Sequence, residues 1–177
     1  MYLIKHENEI MNLENFGSAR SFEDIKNCDL FMATAASEVF YATKGFIKRE
    51  DNGTSDDVMI CLGPLNGSAA PCIYSPSVLH GQPVLDLNTH LQLIPSIKVG
   101  DTKTFYNASP SPGDLVFVKD KILLVVEKTS PRRMALYFNI ETGEITAGLR
   151  DPHGYIVRSW KLQTVDPVAP ETVLSFP

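Results

Sequence analysis

No apolar run in this chain approaches the roughly 20 residues a helix needs to cross a bilayer, so no membrane span is expected. The first residues, MYLIKHENEIMNLEN, lack a basic start followed by an apolar segment, and no secretory signal is expected there. Cysteine is scarce. Cys28, Cys61 and Cys72 are an odd set whose spacings match no metal knuckle. That usage fits a reducing compartment, and a cytoplasmic location is the expectation. Basic residues are also short: the net charge is −5, and residues 1–57, with 11 acids and 6 bases, account for all of it. A chain without a basic stripe is poorly suited to nucleic acid, whose phosphates call for clustered Lys and Arg. The acidic front points instead to a basic protein partner or to self-association. No internal repeat and no low-complexity segment is evident.

What remains is ordinary globular material. Hydrophobic residues make up 44% and charged residues 21% of 177, a length that suits one domain. Ser21 and Asp24 resemble a capping box, and Ile25, Cys28, Met32, Ala35, Ala36, Val39 and Thr43 recur at helical spacing up to Gly45. A long helix is predicted over residues 22–43. Its last third, VFYAT, also suits a strand. Residues 5–13 admit a shorter helix with a wide polar face. EDNGTSDD at 50–57 is an acidic loop, and VMICL at 58–62 a buried strand. Residues 63–83 hold four prolines and three glycines and are expected to be irregular. Partial alternation resumes over 84–94, with a break near Asn88.

From Pro112 onward strands are expected at 114–119, 121–128, 134–140, 144–148 and 154–164, with turns at Glu141-Thr142-Gly143 and Asp151-Pro152-His153-Gly154. The expected fold is therefore α+β: an N-terminal helical segment packed on a C-terminal antiparallel barrel-like sheet, in a single domain of 1–177. Its parts would be a mainly helical acidic front (1–57), an irregular Pro/Gly-rich region (58–111), a β-meander (112–166) and an extended tail (167–177).

The hairpin PGDLVFVKDKILLVVEK at 112–128 resembles the central hairpin of CHAP-type and related papain-like cell-wall amidases and endopeptidases. In that family a Pro-Gly-Asp strand is followed by one that opens with the catalytic histidine and ends in an acid. Glu127 matches the acid, but Ile122 stands where the histidine would be. The resemblance implies Cys28, in Asn27-Cys28-Asp29-Leu30-Phe31, as nucleophile. A cysteine nucleophile needs a base within reach, and isoleucine cannot be one. His80, His90 or His153 would have to arrive from elsewhere in the fold. The same hairpin, with Gly100-Asp101-Thr102 before it, is also similar to serine–lysine peptidases of the signal-peptidase and LexA type. Thr102 would then stand at the serine, and Lys128 would be the base.

Three functional readings follow. The first is a non-enzymatic binding or interaction module that needs no cofactor. The second is a papain-like cysteine hydrolase, active or degenerate, with Cys28 or Cys72 as nucleophile and His80 or His90 as base. The third is a small-molecule or metal site built from Cys72, His80, Asp86 and His90, which lie within 19 residues. Outside that set, His153 in its turn and the basic cluster Lys119, Lys121, Lys128, Arg132 and Arg133 are candidates for holding an acidic ligand. Trp160 is expected in the core.

Overall fold

The structure is a computed structural model that describes residues 17–35, 38–49, 51–64, 70–87, 91–95, 103–104, 109–128, 134–149, 153–165 and 172–176. It overturns the α+β expectation. Among these residues there is no α-helix, and a large mixed sheet dominates. The segment 22–43 carries the correction. Ser21 heads a single 3-10 turn, Phe22–Asp24, and its hydroxyl donates to the Glu23 carboxylate instead of capping a helix. The chain then enters two long strands. In the second of them Phe40 to Gly45 are buried at every position, so both faces are covered there and the strand alternation is lost. The β-branched and aromatic run VFYAT belongs to the strand. Residues 5–13 lie outside the described residues.

The first half of the fold contains β1 (Ser18–Arg20), β2 (Leu30–Ala35), β3 (Glu38–Lys48), β4 (Ser55–Pro64), β5 (Cys72–Tyr74) and β6 (Val84–Asp86). A second 3-10 turn, Pro76–Leu79, lies between β5 and β6. After β7 (Leu91–Pro95) the second half contains β8 (Lys103–Thr104), β9 (Leu115–Val118), β10 (Lys121–Lys128), β11 (Met134–Asn139), β12 (Glu144–Thr146) and β13 (Tyr155–Val157). β14 (Trp160–Thr164) and β15 (Thr172–Phe176) join β7 in a separate antiparallel sheet. The segment expected as one strand over 154–164 is thus divided between two sheets. The stretch 84–94 is divided in the same way.

Six strands form a closed circuit: β3 pairs with β4, β4 with β5, β5 with β10, β10 with β11, β11 with β12, and β12 with β3. Four of these junctions are antiparallel. The β5–β10 and β12–β3 junctions are parallel, so the barrel is mixed and not the antiparallel meander expected. The residues facing into the ring alternate along each strand: Tyr41 on β3, Val58 and Ile60 on β4, Ile73 on β5, Leu124 and Val126 on β10, Leu136 and Phe138 on β11, and Ile145 on β12. Trp160 and Leu162 of β14 join this core. Gly45 sits where β12 meets β3. A Cβ there would lie 2.7 Å from Ile60 and 2.9 Å from the Gly143 carbonyl, so no side chain fits.

The pairing pattern is twofold. β1, β2, β3, β4, β5 and β6 correspond in order to β8, β9, β10, β11, β12 and β13, and each pairing in one half recurs in the other. The correspondence reaches single residues. Cys28 N–H donates to the Lys44 carbonyl at 2.8 Å, and Gly113 N–H donates to the Val125 carbonyl at 2.8 Å. Asp29 N–H bonds the carbonyl three residues back, at Lys26, and Asp114 N–H likewise bonds Ser111. Cys28 has φ 70° and Gly113 has φ 97°, so both turn a left-handed corner into their hairpin. Between Lys26-Asn27-Cys28-Asp29-Leu30-Phe31 and Ser111-Pro112-Gly113-Asp114-Leu115-Val116 only Asp-Leu is shared.

The Pro-Gly-Asp corner is held from several sides. The Trp160 indole, fully buried, donates to the Gly113 carbonyl at 2.8 Å and ties the small sheet to the barrel. The Asp114 carboxylate accepts from the Ser111 backbone N–H at 2.8 Å. In the first half the matching place is secured by Lys44. Its buried ammonium lies 2.9 Å from Asp57, reaches the Phe22 and Glu23 carbonyls at 3.4 and 3.3 Å, and sits over the Phe22 ring.

Two stability outcomes are expected. Trp160→Phe strips the Gly113 carbonyl of its donor and opens space in the core, and should cost about 2–4 kcal/mol in chemical denaturation. Removing the countercharge from a buried cation is worse than replacing the cation by an apolar chain of similar size. Asp57→Asn, which is partly solvent-screened, should therefore cost about 1–2 kcal/mol, and Lys44→Met less than that. The reverse order in the same assay would refute this account of Lys44.

Candidate functional site

The sequence-predicted residues are dispersed by the sheet. Cys28 occupies the left-handed corner before β2, and its thiol faces the Asn139 carbonyl at 3.9 Å. Burial first, then the neighbouring Asp29 and Glu141, push this thiol up to about 11. A nucleophilic cysteine needs the opposite surroundings, a nearby cation or imidazole that favours thiolate. Cys72 lies on β5, on the outer face of the barrel. Asp86 lies on β6, with β2, β3 and β4 between it and β5, and its carboxylate is 3.1 Å from Arg20. His80 caps the Pro76–Leu79 turn in a left-handed conformation and is exposed. Cys72 and Asp86 therefore do not converge. His153 is an exposed residue ahead of β13. His90, Arg132, Arg133 and Thr102 lie outside the described residues. Among the described residues no three metal-ligating side chains cluster, and no helix is long and apolar enough to cross a membrane.

Sequence reasoning missed two arrangements. The first is a groove of about 410 Å³ on the outer face of the second half. Its floor is Val118, Leu123, Tyr137 and Leu149. Its rim is Lys119, Asp120, Lys121, Asn139, Glu144 and Thr146. The floor follows from strand alternation, because Val116, Val118, Leu123 and Val125 form a second apolar layer outside the barrel with Tyr137 and Leu149 against it. The rim follows from the tight turn Lys119-Asp120 between β9 and β10, where Lys119 holds φ 53°. Asn139 is buried, and its side-chain oxygen accepts from the Glu141 and Thr142 N–H groups at 2.9 and 3.2 Å, which shapes one wall. Glu144 is paired with Lys48 at 2.7 Å.

The twofold correspondence shows what occupies this place in the other half. There Phe40, Ala42 and Met59 of β3 and β4 are covered by Leu79, with Val78 and Cys61 against them. The Pro76–Leu79 turn adds Leu79 to the outer apolar cluster of the first half, with Val78 packed against it, whereas the second half has a groove on its outer face. The basic excess at Lys119 and Lys121 was visible in the sequence. The apolar floor beneath it was not, because Leu149 is distant in sequence from β9.

The second arrangement is a pair of cysteines. Cys61 on β4 lies directly opposite Cys72 on β5. The hydrogen bond from Cys61 pulls the Cys72 thiol down to about 7. Tyr74 assists, while burial and Glu127 oppose. The same shared bond, then burial, pushes Cys61 upward. The Tyr74 phenol, bonded to Cys72, is pushed up to about 12 and so stays a donor. Family models, curated protein sequences and solved structures offer no match to this chain.

Thiolate fraction rises with pH through the pKa, so alkylation should separate the cysteines. Iodoacetamide, read by peptide mass mapping, should modify Cys72 with a half-maximal rate near pH 7 and Cys28 only near pH 11. In Cys61→Ala the Cys72 profile should move up toward that of an ordinary thiol, roughly 8.5. Identical profiles for Cys28 and Cys72 would refute these environments.

Proposed function

We propose that this chain is a non-enzymatic binding module whose site is the groove between the β9–β10 turn and β12, and that its ligand is a small amphipathic anion. The observation that carries this reading is the groove itself, an apolar floor on rigid strands beneath a rim that holds two lysines. Ligand sites are commonly concave, mostly apolar and edged by a few placed polar groups. With Glu144 paired to Lys48, Lys121 stands at the mouth beside the Lys119-Asp120 turn, and a cation there favours a carboxylate or sulfonate. The other half of the barrel supports an apolar part in the occupant, since Leu79 and Val78 join the apolar cluster on its outer face. A basic partner on the acidic front is less favoured. Asp56 and Asp57 are already paired with Arg49 and Lys44 of the same chain.

The dye 8-anilinonaphthalene-1-sulfonate, an aromatic sulfonate, tests this reading well below the melting temperature. Saturable fluorescence enhancement is expected. Lys121→Glu and Leu149→Asp should each weaken its Kd by about fivefold to tenfold, with little change in melting temperature. No saturable signal, or a signal that neither substitution alters, would overturn the proposal.

A further inference from the structure

We propose that Cys61 and Cys72 are a redox pair, a dithiol that closes to a disulfide across β4 and β5 by exchange with a low-molecular-weight disulfide. The pairing carries the inference. Residues directly opposite in an antiparallel ladder point to the same face, with Cα atoms about 4.5–5.5 Å apart. That spacing lies within the roughly 4.4–6.8 Å between Cα atoms that a disulfide spans. Both residues are partly exposed and open to a small oxidant. Cys28 faces Asn139 on another part of the barrel and does not compete.

The local chemistry sets the order of events. Cys72, held as the more acidic thiol by Cys61 and Tyr74, attacks one sulfur of the small disulfide. One S–S bond breaks, a Cys72–S–S–R bond forms, and a thiolate RS⁻ leaves. The Cys61 proton passes to that leaving thiolate. The Cys61 sulfur then attacks the Cys72 sulfur and releases the second RS⁻, which takes the proton given up when Cys72 ionised. Two protein thiols have been oxidised and one small disulfide has been reduced to two thiols.

The consequence follows from where the pair sits. β5 has three residues, and it is the strand that joins β4 to β10 in the ring. Cys72 itself is paired with Glu127 of β10, and the Glu127 N–H donates to the Pro71 carbonyl at 2.8 Å. A covalent link from Cys72 to the ten-residue β4 pins the ring at a narrow junction. In the second half the corresponding residues are Asn139 and Glu144, so the device belongs to one half of the barrel.

The test uses the full chain, reduced and then exposed to excess oxidised glutathione. Non-reducing peptide mapping should show Cys61 joined to Cys72, and free thiols should fall from three to one, leaving Cys28. The cross-linked form should melt higher by about 5 °C. Cys61→Ser should halt at a glutathione adduct on Cys72. Three persisting thiols, an adduct without cross-link in the unaltered chain, or a cross-linked form that melts no higher would overturn the proposal.

Discussion

Closure of the strand circuit is the constraint on which the rest of the molecule depends. Two parallel junctions accomplish it, Glu127 against Cys72 and Phe46–Ile47 against Glu144–Ile145. They exist because β3 and β10 are long enough to divide one edge between two partners. β3 gives one edge to β2 and then to β12, and β10 gives one edge to β9 and then to β5. A closed ring leaves its strands no free edge and seals an apolar interior. The absence of a side chain at Gly45 permits one junction, and the bond from Trp160 to Gly113 anchors a corner of the other half.

One frame used twice has been dressed differently on its outside. The corner residue is Cys28 in one half and Gly113 in the other. The second place behind that corner is Lys44, a buried cation with carbonyl and carboxylate partners, against the fully apolar Val125. Where the first half lays Leu79 over its outer face, the second half has a groove. Where the second half places Asn139 and Glu144, the first places two facing thiols. The groove and the facing thiols thus lie in opposite halves by side-chain choice, because the strand pairing is the same in both.

Some of this was legible. The runs at 114–119, 121–128, 134–140 and 144–148 lie on β9 to β12, because alternation and turn residues such as Gly143 act locally. The basic pair Lys119 and Lys121 could also be read as a ligand feature. The stretch 22–43 was not legible. A strand buried on both faces loses the alternation that distinguishes it from a helix, and Phe40 to Lys44 are buried at every position. The repeat escaped notice because its halves share little more than Asp-Leu at the corner, and the corner demands a backbone angle more than a residue type.

By itself the sequence determined the strands from 114 to 146 and the burial of Trp160. Tertiary structure decided the rest. Pairing of β5 with β4 places Cys61 beside Cys72 and away from Asp86, and pairing of β12 with β11 and β3 brings Leu149 to the groove that the Lys119-Asp120 turn also lines. These juxtapositions depend on which strand edges meet when the ring closes. Strand pairing is a property of the whole circuit, and no local spacing of residues encodes it.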